Sequence, residues 1–323
     1  MREKELKNLL LLKPQRKEVE ETDDIKKWLD RFKEERLFDG RKESTIKNDI
    51  TRLKVFLDFC YNRLGKGPDE MTTSDFVKFF NYLEKERKLS KNTQKRYFDL
   101  LKVFYRLMRL KNFNEFAEES KERKRFACIE IRHYDAIDVE MLNMILEKII
   151  ESGSRTRIRD ALIVRLLWDT GARRNEILNL RYKDVDFNEG IIRITNTKNR
   201  EERKVVCAPE TLELLRQYCQ FNVRQGPDDY IFQNNRGGRV RSDWISEVFH
   251  KAVEELKKEG KIPQNRRITL HSIRHGRAVD LLEKGLPLDV VKEYLGHKRL
   301  DVTLFYTHPK ERTEKMLKVI KKM

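Results

Sequence analysis

Five residues in the C-terminal half of the sequence have the types that metal-free phosphodiester cleavage requires. They are two arginines, two histidines and one tyrosine: Arg173, His271, Arg274, His297 and Tyr306. Guanidinium groups can clamp the non-bridging oxygens of a phosphate, imidazoles transfer protons near neutral pH, and a phenol can attack phosphorus. The set could therefore break a phosphodiester bond without a metal ion.

These residues lie in short motifs that follow one another in a fixed order. Thr-Gly-x-Arg-x-x-Glu occupies 170–176, His-x-x-Arg occupies 271–274, Leu-Gly-His occupies 295–297, and the tyrosine follows nine residues later. One such motif occurs by chance in many proteins, whereas four in this order are specific. From about Asp24 to its C-terminus, the chain resembles the tyrosine recombinase family, the phage-integrase-like and Xer-like site-specific recombinases.

The resemblance implies a role for each residue. Tyr306 would be the nucleophile that forms a 3′-phosphotyrosyl bond and frees a 5′-hydroxyl, with His271 as its base. Arg173 and Arg274 would bind the scissile phosphate, and His297 would donate a hydrogen bond to it. Neither a metal nor any other cofactor is implied, and the sequence contains no P-loop and no carboxylate cluster typical of a Mg²⁺ site.

Two further residues complete the predicted site. Glu176 lies three residues after Arg173 on the same helical face, where it could orient an arginine or a histidine. In the family, a lysine from a β-hairpin protonates the departing 5′-oxygen. Lys198 occupies the matching turn of this sequence. The turn reads Thr-Lys-Asn here, whereas family members often have Gly-Lys-Gly. Lys204 is the alternative; the register that favours Lys198 places Arg203 where family members carry an arginine.

Bulk composition agrees with a polyanionic partner. The chain has 323 residues and a formal net charge of +17, and such an excess favours nucleic acid. No apolar run approaches the 18 residues that a membrane-spanning helix needs, and the four scattered cysteines show neither metal-ligand spacing nor a disulfide framework. We therefore predict a cytoplasmic, nucleoid-associated protein that binds double-stranded DNA and no membrane.

Apolar periodicity predicts a mainly α fold with two domains. After a charged segment (1–23), residues 24–114 form a helical core-binding domain, with helices opened by Ser44 or Thr45, by Thr73 or Ser74, and by Ser90. Residues 115–133 are predicted to be a charged linker. Residues 134–323 form a mixed α+β catalytic domain with a small antiparallel sheet near 185–187, 190–194 and 204–207.

The polar faces of two helices in the first domain are predicted to contact DNA. A helix N-terminus that presents Lys, Arg, Asn and Thr suits phosphate and groove contacts. The predicted contact residues are Lys47, Asn48, Lys91, Asn92, Thr93, Lys95 and Arg96.

The resemblance also implies an oligomeric state, and two other functions remain as alternatives to recombination. Members act as four protomers on two DNA sites, so we predict a tetramer with DNA and a monomer or weak dimer without it. The C-terminal helix could pack on its own domain or on a neighbouring protomer. Type IB topoisomerases use similar residues to relax supercoils as monomers, and a regulator that binds DNA without cleaving it is the non-enzymatic alternative.

Overall fold

The computed structural model describes residues 22–127, 134–195 and 202–296. The chain divides into two compact units, Met1–Ile131 and Arg132–Met323. Each unit has its own hydrophobic core, and we describe each by itself.

The described part of the first unit is entirely helical. Its α-helices are α1 (Asp23–Phe38), α2 (Glu43–Asp58), α3 (Thr73–Lys85), α4 (Lys91–Leu107) and α5 (Asn114–Glu122). A π-helical turn, Phe59–Leu64, extends α2, and a 3₁₀ turn, Pro68–Glu70, precedes α3. Phenylalanine rings fill the core: Phe56 packs edge-on against Phe79, with ring centroids 5.1 Å apart. Edge-to-face contacts of this kind add to the stabilisation that comes from burial.

Helix starts in this unit depart from the predictions by one or two residues. Ser90 does cap α4, because its hydroxyl accepts a hydrogen bond from the Thr93 amide. Thr72, rather than Thr73 or Ser74, caps α3, since only Thr72 has a carboxylate three residues later, that of Asp75, to complete a capping box. The first turn of α2 begins at Glu43 after Lys42, without a side-chain cap, so the predicted Ser44 or Thr45 cap is wrong.

The predicted linker differs from the structure over 115–127. Most of α5 falls in this stretch, and Phe116 and Phe126 are buried in the core of the first unit. Phe126 stacks on Phe98 at 4.4 Å and lies 4.8 Å from Phe80. Each buried phenylalanine contributes about 1.5–3 kcal/mol. Two large side chains are therefore enough to anchor a segment whose composition is dominated by charge.

The second unit combines helices with a three-stranded sheet. Its helices are α6 (Val139–Glu151), α7 (Arg157–Thr170), α8 (Arg174–Leu178), α9 (Pro209–Gln220), α10 (Ser242–Lys258), α11 (Leu270–Glu283) and α12 (Leu288–Leu295). Strands β1 (Val185–Asp186), β2 (Ile191–Ile194) and β3 (Arg203–Val206) form an antiparallel sheet in the order β1-β2-β3. The β2–β3 register pairs Ile194 with Arg203 and Arg193 with Lys204.

Helix α7 is central to the second unit and is buried on nearly all sides. It packs against α6, α8, α9 and α11, so its buried residues are not confined to one stripe and include the ion pair Arg159–Asp160. Close packing of α11 nearby depends on Gly276, where a Cβ atom would lie 1.9 Å from the carbonyl oxygen of Ile137. The glycine thus allows the helix that carries His271 and Arg274 to approach the start of the unit.

The fold class is therefore as predicted: mainly α, with a helical N-terminal part and a C-terminal part that contains a small antiparallel sheet. Among the described residues, no helix combines the length and the apolar character needed to cross a membrane.

Candidate active site

The C-terminal end of α12 is where the predicted phosphate-binding residues meet. Its backbone carbonyls at Tyr294 and Leu295, and the next one at Gly296, each accept a hydrogen bond from a different arginine. Carbonyls at a helix end lack partners within the helix, and positive side chains are favourable there. The three donors come from distant parts of the sequence; in the order of the carbonyls they are Arg203, Arg274 and Arg173.

Arg274 connects two helix ends. Its Nη2 donates to the Leu295 carbonyl at 2.6 Å, and its Nη1 donates to the carbonyl of Gly171, directly after α7, at 2.7 Å. The residue is only 6% exposed. A planar guanidinium held at two points has a fixed orientation, which is what recognition of a phosphate requires.

Arg173 is held by a reciprocal contact with Glu176. Its backbone amide donates to Glu176 Oε2 at 2.8 Å, its Nη1 donates to Oε1 at 2.9 Å, and its Nη2 donates to the Gly296 carbonyl at 3.1 Å. The side chain of Arg173 is 30% exposed, whereas that of Glu176 is 2% exposed. Arg173 therefore keeps an accessible edge while a buried carboxylate fixes its orientation.

Arg203 approaches the same carboxylate from strand β3. Its Nη2 donates to Glu176 Oε2 at 2.7 Å, and its Nε donates to the Tyr294 carbonyl at 3.2 Å. Burial raises the pKa of Glu176 most strongly, but the hydrogen bond and charge of Arg203, together with the bonds from Arg173, outweigh it. The net result is a pKa below the ordinary range, so the carboxylate stays ionised between two arginines.

Gly171 explains how α7 and α12 come close enough for these contacts. It adopts a φ of +57°, in the left-handed region, where it ends α7. A Cβ atom at this position would lie 2.4 Å from Leu295 Cδ2. The preceding Thr170 hydroxyl donates to the Leu166 carbonyl and accepts from the Ala172 amide, which directs the chain toward Arg173.

His271 lies in the first turn of α11, one turn before Arg274. Partial burial lowers its pKa below 6.5 most strongly, and the positive charges of Arg174, Arg274 and Arg173 lower it further. The residue still has an exposed face. Its imidazole is therefore neutral near pH 7 and able to accept a proton.

The described residues thus bring Arg173, Glu176, His271 and Arg274 together in the second unit. Lys204 lies on the exposed side of β3, whereas Arg203 and Val205 face inward, as the two-residue period of a strand dictates. Lys204 therefore points away from Glu176. The predicted residues Lys198, His297 and Tyr306 lie outside the described residues.

The predicted DNA-contact residues lie in the first unit. Lys47 and Asn48 are exposed on the first half of α2, and the others occupy the N-terminal turns of α4. The positive charges of Arg52 on α2 and of Arg87, in the connection between α3 and α4, both act on Tyr97 of α4, so cationic groups from α2 and from the chain before α4 lie near this helix. The remaining predicted contacts on α4 are Lys91, Asn92, Thr93, Lys95 and Arg96.

Sequence reasoning placed Arg203 where family members carry an arginine but gave it no role in this site, and it missed the carbonyl end of α12. The strand pattern Arg203-Lys204-Val205-Val206 carries a usable signal, because Arg203 shares a face with the buried Val205. An arginine on the inward face of a strand needs a buried partner. The identity of that partner, Glu176, could not be read from the sequence, because 27 positions separate the two residues.

Comparison with known proteins assigns both units. Residues 135–313 match the phage integrase family, and residues 28–115 match the N-terminal SAM-like domain of phage integrases. The chain therefore belongs to the phage integrase family. Within that family it is a tyrosine recombinase, as the resemblance in its motifs predicted.

Individual relatives agree with this assignment. Over 100% of the chain and 99% of the relative, it is 69% identical to a Methanocaldococcus jannaschii protein described as a probable integrase/recombinase. It is 29% identical to tyrosine recombinase XerA of Saccharolobus solfataricus, over 83% of the chain and 84% of the relative.

Two solved structures share the fold. One is a lambda integrase dimer bound to a COC′ core site, with a TM-score of 0.66 and 19% identity over 89% of this chain and 78% of that one. The other is the XerH recombinase in a post-cleavage complex with a palindromic difH substrate, with a TM-score of 0.63 and 22% identity over 86% and 80% of the two chains.

Proposed function

We propose that this protein is a site-specific DNA recombinase or integrase that cuts and rejoins strands through a 3′-phosphotyrosyl intermediate. The observation that carries the proposal is the convergence of Arg173 and Arg274 at the end of α12, with His271 close enough to both for their charges to lower its pKa. That helix leads directly to His297 and, nine residues further, to Tyr306.

The site chemistry supports nucleophilic attack by a phenol. A tyrosine with a pKa near 10 is only about 0.1% ionised at neutral pH, so it needs a base or a positive field. His271 is neutral in its arginine-rich surroundings and can take the proton of Tyr306. Arg173 and Arg274 then stabilise the charge that gathers on the phosphate oxygens, and His297 adds a hydrogen bond.

The proton for the departing 5′-oxygen would come from Lys198. The orientation of β3 supports this choice over Lys204, because Lys204 projects from the exposed face, opposite to Arg203 and its contact with Glu176. Rejoining reverses the reaction: the 5′-hydroxyl of the partner strand attacks phosphorus and releases Tyr306. Bond energy is conserved in the phosphotyrosine, so neither a metal nor a nucleotide is required.

The proposed partner is double-stranded DNA carrying a recombination site. The cationic α2–α4 surface of the first unit would bind the duplex, and the second unit would bind the scissile phosphate. A tetramer of this chain on two sites would complete strand exchange, with a monomer or weak dimer in the absence of DNA. Such a protein would reside with the nucleoid in the cytoplasm.

A nicked DNA substrate tests the proposal, because loss of the short 5′-hydroxyl fragment traps the covalent intermediate. The wild-type protein is expected to form a covalent adduct, and Tyr306→Phe is expected to bind the same DNA without forming one. A mobility shift without an adduct from the wild-type protein would instead identify a DNA-binding regulator. Relaxation of supercoiled plasmids that lack a recombination site would identify a topoisomerase.

A further inference from the structure

Arg203 is the one arginine of the α12 end to which the proposed reaction assigns no step. It is the first residue of β3, five positions after Lys198 in the sequence, and its side chain is only 12% exposed. Its two hydrogen bonds join three pieces of chain: β3, the Glu176 carboxylate and the Tyr294 carbonyl. Unlike Arg173, whose side chain is 30% exposed, it keeps little accessible edge for a phosphate.

We propose that Arg203 is a positioning residue for strand cleavage, which holds Glu176 and the end of α12 so that Arg173 points at the scissile phosphate. The inference rests on the proposed function, since it concerns the same phosphate site.

The shared carboxylate is the first step of the argument. Glu176 Oε2 accepts both from Arg203 Nη2 at 2.7 Å and from the Arg173 amide at 2.8 Å, while Oε1 accepts from Arg173 Nη1 at 2.9 Å. A nearly fully buried carboxylate needs such partners to stay ionised. If Arg203 were removed, Glu176 would keep only Arg173, and the orientation of that guanidinium would be less firmly fixed.

The helix end is the second step. Arg203 Nε holds the Tyr294 carbonyl, two residues before the Gly296 carbonyl that receives Arg173 Nη2. The Tyr294 hydroxyl lies 3.1 Å from the carbonyl oxygen of Val206, so α12 is tied to β3 at two points. Gly296 adopts a φ of +69°, and a Cβ there would lie 3.1 Å from Arg203 Nη1. Arg203 therefore packs against the turn that orients Arg173.

The third step concerns pH. Arg203 provides the largest effect that lowers the pKa of Glu176, against a burial effect that raises it. Without Arg203 the pKa rises, so the carboxylate is protonated at a higher pH and the contact with Arg173 weakens as the pH falls. A purely structural loss at β3 would lower the rate equally at every pH.

The pH at which Glu176 is protonated is governed by Arg203 and Arg173, because other polar groups nearby are either uncharged or paired elsewhere. Arg173 is the second cation acting on the carboxyl, and the α12 groups bound by the arginines are carbonyls, which do not titrate. On α7, Asp169 is paired with Arg165 at 3.3 Å. On α10, which also packs against α8, Ser246 is in contact with Arg174.

Single-turnover cleavage of the nicked substrate at saturating DNA, measured across pH, tests the inference. Arg203→Ala should lower the rate about ten- to a hundredfold near neutral pH, because small misplacements of a catalytic group cost that much. DNA affinity should change little, because Arg203 donates hydrogen bonds to Glu176 and Tyr294. As the solution is acidified, the cleavage rate of Arg203→Ala should begin to fall at a higher pH than the cleavage rate of the wild type.

Three further variants make the result decisive. Arg203→Lys keeps a positive charge beside Glu176, so its pH profile should return toward the wild type, with only partial recovery of rate because one ammonium cannot reproduce the two-point contact. Adding Glu176→Gln to Arg203→Ala should abolish the added acid sensitivity. Arg193→Ala, on the exposed side of the neighbouring strand β2, should cleave like the wild type.

The outcomes separate this inference from the proposed function. If the wild type forms the adduct and Arg203→Ala cleaves within twofold of it, the positioning role is wrong and the function stands. A slow Arg203→Ala protein with an unchanged pH profile, together with no rescue by lysine, also overturns it. If Arg203→Ala does not fold, the cleavage rates of Arg203→Lys and Arg203→Lys/Glu176→Gln are compared across pH. Any acid sensitivity that Arg203→Lys has beyond the wild type should be absent from the double variant, and its persistence there overturns the inference. A wild type that forms no adduct overturns both.

Discussion

Arg274 Nη2 donates a hydrogen bond of 2.6 Å to the carbonyl of Leu295, the last residue of α12. The same guanidinium also donates to Gly171, so one side chain fixes the end of α7 against the end of α12. The anchor of this arginine therefore lies two residues before His297, another predicted phosphate ligand.

Replacing Arg274 should separate cleavage from binding. Arg274→Ala is expected to lower the rate of covalent-adduct formation about a hundredfold or more, since one preorganised donor to the transition-state charge is removed. DNA affinity, measured by mobility shift, should change only a few-fold, because one positive charge is a small part of the net charge of +17. Arg274→Lys should recover little, since lysine lacks the planar fork. A loss of affinity as large as the loss of rate would contradict this assignment.

His271 should give the cleavage rate an acid limb. Its pKa lies below 6.5, and the neutral form is the active base, so the rate should be constant near pH 7 and fall as the pH drops below the pKa. Arg174→Ala removes the strongest charge acting on this imidazole, so the pKa rises and the limb moves to higher pH. Rates at saturating DNA from pH 5 to 8 provide the measurement.

Arg216→Ala is the matched control for this pH experiment. Arg216 is a half-exposed arginine of α9 that contacts the Phe187 carbonyl, and the causes of the His271 pKa shift do not include it. The limb of this variant should coincide with that of the wild type. If Arg174→Ala and Arg216→Ala moved the limb equally, net charge rather than the local field would set the pKa of His271.

Gly171 should tolerate no side chain. Gly171→Ala is expected to lower the free energy of unfolding by about 1–2 kcal/mol for the left-handed backbone and by about 1–3 kcal/mol more for the overlap with Leu295. Gly153→Ala is the control: it has φ +67° but nothing within 4 Å of a Cβ, so it should show the backbone cost alone. Denaturant unfolding measures both, and equal losses would refute the close approach of α7 to α12.

The N-terminal half of α4 should carry the DNA affinity of the first unit. The double variant Lys95→Ala/Arg96→Ala should weaken binding and reduce the slope of log affinity against log salt by about one for each phosphate that is no longer neutralised. Lys102→Ala/Arg106→Ala removes the same charge from the other half of the same helix and should leave the slope unchanged. Equal effects of the two variants would indicate attraction by net charge, without a defined contact surface.

Local signals predicted most of the secondary structure, because they act over three or four residues. Ser90 caps the helix that it was predicted to open, because its hydroxyl accepts a hydrogen bond from the Thr93 amide. The prediction was poorer where neighbours compete. It named Thr73 or Ser74 at the start of α3, whereas the cap is the preceding Thr72, which exchanges hydrogen bonds with Asp75. It also misjudged 115–127, where Phe116 and Phe126 outweigh the surrounding charges by packing against rings far away in the sequence.

The sequence by itself determined the family and the chemical types at the site, because motif order and spacing are properties of the chain. Only the tertiary structure decided that Arg173, Arg274 and Arg203 converge on three successive carbonyls of one helix end. Those contacts join positions up to 123 residues apart, and no local propensity encodes them. Their geometry follows from how α7, α11, α12 and β3 pack, and that packing satisfies buried carbonyls and a buried carboxylate that would otherwise be left without partners.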